Sequence, residues 1–314
     1  MLNFISKMKN FYKLLIFIYC LSTVNANANS GFVKLLLGIE PTHVLEGKSK
    51  SAIVLTQAYL GYNSFNYIQQ TDSLGNIQWL TNLFTVQDTG VRLGVDIGLY
   101  SNQTIYAITH HKNGQNGLLQ KVSNIKDGVI LSTNTIANAD TLQPLHSRAF
   151  ASTLDSCFIQ VLQNKTTNQF YLQKVNAQAN IIWTKRLDKN NFNANLDTIN
   201  LYGSQYQIRI KKMPTNVFAI SGVGLNRTSN KYEWFQAMYD DNTQAMQYQH
   251  YALPEVLVNS TNVPILFEEA YLNTSIIRIA VLNYDTATAL NTYFVSDINS
   301  NTNTKNVVYS FQDS

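Results

Sequence analysis

Residues 170–187 read FYLQKVNAQANIIWTKRL. Two strand-like runs of apolar, aromatic and long side chains, 170–175 and 181–187, are separated by only five residues, Asn176 to Asn180. Strands joined this tightly must be antiparallel neighbours, so the stretch is a β-hairpin. Residues 67–83 spell a related phrase, YIQQTDSLGNIQWLTNL. Both copies set Asn-Ile just ahead of a tryptophan, as Asn76-Ile77-Gln78-Trp79 and Asn180-Ile181-Ile182-Trp183. A lone hairpin is marginally stable in water. A chain that repeats one is built by stacking copies.

The rest of the chain has the same rhythm. No long window carries an apolar stripe at helical spacing through to a cap. Short β-branched and aromatic runs recur instead, divided by Gly, Asn, Asp and Ser. They group in fours: 32–38, 52–59, 65–71 and 77–84; 91–100, 104–110, 118–122 and 129–135; 147–152, 157–162, 170–175 and 181–187; 206–210, 217–223, 234–239 and 245–251; 266–271, 275–282, 292–296 and 307–311. Aligning third strands makes Gln69, Gln120, Gln173, Ala237 and Ser296 equivalent, at intervals of 51, 53, 64 and 59 residues. Their second-strand counterparts are Val54, Ala107, Gln160, Ile220 and Ile279. Four strands per unit and a period near 50 predict an all-β chain, a β-propeller of five blades of four antiparallel strands. A seven-bladed ring needs about 40 residues per blade, fewer than any of these intervals. A sandwich would not repeat the same closing hairpin. The blades run over about 32–88, 89–140, 141–200, 201–258 and 259–314 of one domain, 29–314. Runs such as Ala52-Ile53-Val54-Leu55 are apolar without alternation, as expected of strands buried on both faces between blades. Trp79 and Trp183 are then packing residues between blades. With no shared strand closing the ring, 32–38 is the strand expected to fray.

The first 28 residues read as a signal peptide. Lys7, Lys9 and Lys13 precede an eleven-residue, mostly apolar stretch, 14–24, too short to span a bilayer. Small residues follow, with cleavage expected after Ala28, or after Ala26. Localisation is therefore secreted or extracellular, with no transmembrane segment in the mature chain. The whole chain has 23 basic and 19 acidic residues; without the three signal lysines it has 20 against 19. Such a balance offers no surface for nucleic acid. Cys20 lies in the signal, so Cys157 is the single mature cysteine, a buried small hydrophobe within a strand. The 37 asparagines include five N-x-[ST] sequons, at Asn102, Asn164, Asn226, Asn259 and Asn273. Chance alone yields about five or six; their loop positions permit N-glycosylation.

The unit Asp72-Ser73-Leu74-Gly75-Asn76-Ile77-Gln78-Trp79 resembles the D-x-x-G-N-x-x-W hairpin of quinoprotein-like and related bacterial-type β-propeller repeats. Asn176 to Trp183 is a second copy, with Asn176 for Asp and Ala179 for Gly. Ser123 to Leu131 is a third, one residue longer and without the tryptophan. The resemblance implies a fold. The quinone enzymes of that group use a vicinal disulfide and a calcium ion, and a chain with one mature cysteine cannot form the disulfide, so no cofactor is expected.

Chemistry-bearing motifs are sparse. His110-His111 sit on opposite faces of a strand and cannot readily share a metal. Asp297 to Asn301 begins like a calcium loop, but Thr302 and Val308 occupy the positions that need Gly and Glu. Asp240-Asp241-Asn242 is the corresponding turn of the fourth blade. No metal site is expected. Asp96, Arg148, Arg209 and Glu268 lie on first strands, nearest the axis, and are candidates to line the central channel. Lys211 and Glu269 share those strands, but Glu268 and Glu269 point apart and make a poor acid–base couple. Loops joining second to third strands offer Tyr62, His111, Asn164, Tyr232 and Tyr284 as candidate binding residues. The reading is a secreted or surface binding module for a carbohydrate or protein ligand. The alternatives are an extracellular hydrolase or lyase on the same scaffold, favoured if three or more ionisable groups converge at the axis, and a structural surface protein.

Overall fold

Turns of one shape fix the register of the chain. The structure, a computed structural model, describes residues 39–47, 50–60, 63–83, 92–100, 102–113, 117–138, 142–144, 149–164, 166–167, 169–187, 196–197, 208–226, 231–253, 262–272, 276–285, 287–299, 302 and 304–313. Among these, the Tyr100 N–H donates to the Thr104 carbonyl and the Thr153 N–H to the Cys157 carbonyl, both at 2.9 Å. Gly47 to Ser51 and Met213 to Val217 close alike at 2.8 Å. The fourth residue of each turn is left-handed: Lys50, Gln103, Ser156 and Asn216, with φ of 61°, 66°, 59° and 63°. These turns join first strands to second strands, and a fixed turn leaves the strands no freedom to slip.

The closing hairpins use another turn. Asp72 Oδ1 accepts the N–H groups of Leu74 and Asn76 at 2.9 and 2.8 Å. Asn176 Oδ1 accepts those of Gln178 and Asn180 at 3.0 and 2.9 Å. Gly75 has φ 84° and its counterpart Ala179 has φ 65°, so alanine adopts the backbone that glycine takes in the first copy. The third copy is one residue shorter than its relatives, not longer. Ile125 pairs with Ile130, where Thr71 pairs with Ile77 and Val175 with Ile181.

Five antiparallel sheets follow in chain order. The first is β1 (Ile39–Glu46), β2 (Ala52–Leu60), β3 (Asn63–Thr71) and β4 (Ile77–Asn82). The second is β5 (Arg92–Leu99), β6 (Ile105–Asn113), β7 (Gly117–Lys126) and β8 (Val129–Ile136). The third is β9 (Leu142–Pro144), β10 (Phe150–Ser152), β11 (Cys157–Asn164), β12 (Phe170–Asn176) and β13 (Ile181–Arg186). The fourth is β14 (Leu196–Asp197), β15 (Ile208–Lys212), β16 (Val217–Asn226), β17 (Lys231–Asp240) and β18 (Met246–Leu253). The fifth is β19 (Asn262–Tyr271), β20 (Ile276–Asp285), β21 (Leu290–Asn299) and β22 (Thr304–Asp313). The fold is a five-bladed β-propeller.

Sequence alignment gives the register in four blades. Val54 faces Gln69, Gln160 faces Gln173, Ile220 faces Ala237 and Ile279 faces Ser296. In the second blade Ala107 faces Ser123 rather than Gln120, because β6 and β7 run on for several residues and their hairpin sits further along. The first strand is also corrected. Residues 32–38 lie outside the described residues, and the strand beside β2 is Ile39–Glu46.

Core side chains lie between sheets, as strands covered on both faces require. Among the described residues, Ile53, Leu55 and Ile68 join Ile97, Ile105 and Ala107 between the first two blades. A larger cluster runs from Tyr106 and Ile108 through Phe158 and Val161 to Phe218 and Tyr239, across blades two to four. Val223, Trp234, Ile279 and Ile298 join the last two. The motif tryptophans staple neighbouring blades. Trp79 lies over Gly128, where an added Cβ would come within 3.0 Å of the indole. Trp183 meets Tyr239 edge-on, with ring centroids 5.3 Å apart.

Polar ties reinforce the same seams. Gln120 donates to Gln160 and Gln160 to Gln173, each at 2.7 Å, and Gln173 donates to Thr184 at 3.1 Å. His110 is buried beside this ladder, its Nε2 3.5 Å from the Gln120 amide nitrogen. Asn124 donates to the Ala177 carbonyl of the next blade at 2.7 Å. Lys174 reaches Asp241 of the next blade at 2.7 Å and Asp155 of its own at 2.8 Å. These two carboxylates hold the Lys174 ammonium above its ordinary value although burial, the largest single influence, acts the other way.

Candidate functional site

First strands form the inner wall. Among the described residues β5 lies against β1 and β10, and β10 against β15, so consecutive first strands meet around the axis. The fourth strands β4, β8 and β13 are mostly exposed and form the rim.

Every inner strand leaves its ladder in its first half. In β1, Pro41 faces Thr56 and His43 faces Leu55, leaving Thr42 extra. In β5, Val95 is extra between Gly94 and Asp96. In β19, Ile265 is extra between Pro264 and Leu266. In the third blade the ladder stops at Pro144 and resumes where the Ala149 carbonyl accepts the Val161 N–H at 3.0 Å. In the fourth it stops at Asp197 and resumes at Ile208. From sequence alone these two inner strands span 147–152 and 206–210, without Leu142–Pro144 or Leu196–Asp197. Pro41, Pro144 and Pro264 explain three of the breaks, since proline cannot donate to a ladder. Bulges of this kind re-aim side chains at barrel rims and sites. All five breaks lie toward the end that carries the blade-to-blade connections. That end is the mouth; the opposite end is closed by the short turns.

One register level follows these breaks. His43 faces Leu55, Asp96 faces Ile108, Ala149 bonds Val161, Arg209 faces Ser221 and Glu268 faces Ala280. Their second-strand partners each follow by one the aligned residues Val54, Ala107, Gln160, Ile220 and Ile279. Four of the five inner strands thus place an ionisable residue at the same level. Three of them, Asp96, Arg209 and Glu268, are the channel candidates named from sequence. His43 was missed. Arg148 lies outside the described residues, as does any description of the His43 and Glu268 side chains.

Asp96 and Arg209 are both buried. Asp96 Oδ1 accepts the Ile97 N–H at 2.8 Å. Tyr106 crosses β5 over Gly98, where a Cβ would fall 2.2 Å from its hydroxyl. Its ring stacks on Phe158 with centroids 5.2 Å apart. Burial, and then the Asp96 carboxylate, push its hydroxyl far above the ordinary tyrosine range. Nothing in the sequence pointed to Tyr106 except its place opposite a glycine.

Glu269, next to Glu268, turns to the fourth blade. The Ser221 hydroxyl, Arg209 and Lys211 of β15 and the Trp234 indole favour its ionised form. Burial is the dominant influence and raises its pKa; the four polar neighbours oppose it.

The described loop candidates lie on separate elements. Tyr62 lies outside the described residues. His111 pairs in β6 with Arg92 and Leu119, its side chain outside the description. Asn164 folds its own loop, accepting the N–H groups of Thr166 and Thr167 at 2.9 and 3.0 Å. Tyr232 packs against the core of the last two blades, and burial raises its hydroxyl. Tyr284 is half-buried on β20. Of the sequons, Asn102 is exposed in a turn and Asn226 ends β16, while Asn259 and Asn273 lie outside the described residues. Burial pushes the Cys157 thiol up to about 11. Asp297 is engaged by Arg278 in a two-pronged pair at 2.7 and 2.9 Å.

No family profile and no curated protein matches the chain. The named repeat family therefore rests on the hairpin motif alone. Solved structures share the general course of the chain. The endo-arabinase of Bacteroides thetaiotaomicron is 12% identical, with a TM-score of 0.43 and coverage of 86% of this chain and 92% of that one. A subtype N10 neuraminidase-like protein from a little yellow-shouldered bat isolate is 12% identical, TM-score 0.48, covering 90% and 87%. An α-L-arabinofuranosidase of Fusarium graminearum is 10% identical, TM-score 0.41, covering 86% and 91%. Among the described residues, no helix is long and apolar enough to cross a membrane.

Proposed function

We propose that the chain is a secreted recognition module, a single propeller over 29–314 that binds a carbohydrate at the axial mouth. One observation carries this reading. Ionisable residues from four different blades, His43, Asp96, Arg209 and Glu268, share one register level just past the inner-strand breaks. Carboxylates accept from sugar hydroxyls, and a guanidinium donates in a fixed fork. Donors and acceptors alternating around one level suit a polyhydroxylated ligand better than an extended apolar one. Tyr62, His111, Asn164, Tyr232 and Tyr284 then serve the surrounding loops.

Calorimetry against a panel of neutral and uronic-acid-bearing oligosaccharides tests the reading. Binding of at least one, weakened roughly tenfold or more by Asp96→Asn, is the expected result. Retention of full affinity in Asp96→Asn and Arg209→Gln would move the ligand elsewhere. The same level also favours the hydrolase alternative, because it holds more than three ionisable residues and two of them, Asp96 and Glu268, are carboxylates of the kind glycoside hydrolysis needs as a pair. New reducing ends released from the same panel would favour it.

A further inference from the structure

In four of the five blades the fourth strand carries the same irregularity. Thr71 pairs with Ile77 and Gln70 with Trp79, so Gln78 is extra. Leu131 is extra between Ile130 and Ser132, Ile182 between Ile181 and Trp183, and Val308 between Val307 and Tyr309. A bulge sets two neighbouring residues against one partner and bends the strand. Here neighbours are exposed together rather than alternately. Ile130 and Leu131 are 36% and 58% exposed, and Ile181 and Ile182 38% and 53%. In the fourth blade β17 and β18 pair without a bulge, and Met246, the counterpart of Ile77, packs on the core.

Most of the exposed large apolar side chains among the described residues lie on these outer strands. In the first two blades they merge into one surface. The Thr81 hydroxyl donates to the Gly128 carbonyl and Trp79 lies over Gly128, so β4 meets the start of β8. Leu80 and Val129, 54% and 61% exposed, flank that junction, and Leu131 follows. Neither Ile77–Asn82 nor Val129–Ile136 contains a charged residue or a proline, the usual guards of an exposed sheet edge. The bulges guard the backbone instead. They break the free row of N–H and C=O groups, so side chains rather than an added strand carry a contact here. Contiguous apolar surface left in water marks an interface.

Its charge chooses the occupant. A two-fold contact sets a patch against itself, which a charged patch opposes by repulsion and an uncharged apolar one does not. From residue 29 on, the chain carries 20 basic and 19 acidic residues (23 basic less the three lysines before it), so copies meet without net repulsion. Lys126 and Asp127 stand side by side in the flanking turn and supply no basic collar for an anionic membrane. We infer that the rim of blades one and two is an interface between two copies of this chain, with Leu80, Val129 and Leu131 packed across a two-fold axis. The contact lies on the outer strands, away from the axial mouth, and does not rest on the carbohydrate reading.

Sedimentation velocity of the secreted chain over a roughly hundredfold range of concentration tests it. Monomer passing to dimer is the expected result. Leu80→Asp and Leu131→Asp, which put a carboxylate where the two copies meet, should each weaken the dimer roughly tenfold or more. Both side chains are exposed, so the far-ultraviolet spectrum and Tm should stay those of the wild type. Leu272→Asp, at a comparably exposed leucine in the first-to-second turn of the fifth blade, should leave the dimer intact. Amide exchange at 129–131 should slow as the dimer forms, and that at 272 should not. A chain that stays monomeric throughout overturns the inference, as does a dimer indifferent to both aspartates. A monomer that floats with neutral phosphatidylcholine vesicles through the same leucines overturns it in favour of a lipid surface.

Discussion

Glu269 and Asp155 are both carboxylic acids with shifted values, and a fall in pH acts on the stability linked to them in opposite directions. The Glu269 pKa is raised above its ordinary 4.5, so the folded chain holds that proton longer than the unfolded chain does. Stability linked to this group is greatest below 4.5 and is lost as pH rises through the raised value. Urea midpoints of the wild type, measured against Glu269→Gln, should therefore fall behind as pH rises through that window. Asp155 has a lowered value, so its contribution is present above 3.8 and disappears as pH falls below it. Lys174→Met leaves Asp241, whose side chain is only 5% exposed, as an uncompensated buried charge. The expected cost is about 3–5 kcal/mol, read from urea melts, because breaking one half of a buried pair is far more costly than replacing both. Gly98→Ala should displace Tyr106, since the new methyl would fall 2.2 Å from its hydroxyl. Loss of the near-ultraviolet signal of that tyrosine, with the far-ultraviolet signal retained, is the expected outcome.

At the level of elements, four first-to-second turns put a non-glycine residue into left-handed backbone. A residue with a Cβ sits there at a cost of about 1–2 kcal/mol. Gln103 is exposed, so Gln103→Gly removes that strain without emptying a core position. A gain of about 0.5–1 kcal/mol remains after the greater chain entropy of glycine. A rise of a few degrees in Tm would show it. These turns also explain how much was legible in the sequence. The closing hairpins announced themselves through Asp72, Gly75, Asn176 and the two tryptophans, and with them came the five blades and most of the register. The first strand was misread because residues 32–38 are apolar while Ile39–Glu46 contains Pro41 and two acids. A bulge at Thr42 tolerates that proline, and bulges leave no mark in hydrophobic pattern. His43 was lost with it. Counting back seven residues from the left-handed turn position would have found it, as it finds Asp96, Ala149 and Arg209. From sequence Glu268 and Glu269 face apart; the Glu268 side chain lies outside the described residues. Which of them turns to the fourth blade depends on that blade's own side chains, which no single strand encodes.

Across the whole molecule the seams decide stability. Trp183 is half-buried, yet it touches Tyr239 of the next blade and carries Lys185, whose Nζ lies 5.3 Å from its ring centroid. Trp183→Ala should cost about 3 kcal/mol, the low end for a large aromatic. Its effect on hydrogen exchange should concentrate in blades three and four. None of the three buried clusters among the described residues joins the fifth blade to the first. Exchange in those two blades should accordingly be faster than in the third. Each sheet is also drawn from one contiguous stretch of chain, and no described strand is lent from one sheet to another. The molecule therefore has no privileged starting point. A circular permutant opened between Leu253 and Asn262 and joined from 314 back to 29 divides no ladder, and should fold to the same spectrum. The same property makes blades interchangeable cassettes, so that duplication of one genetic unit adds a whole sheet rather than half of one.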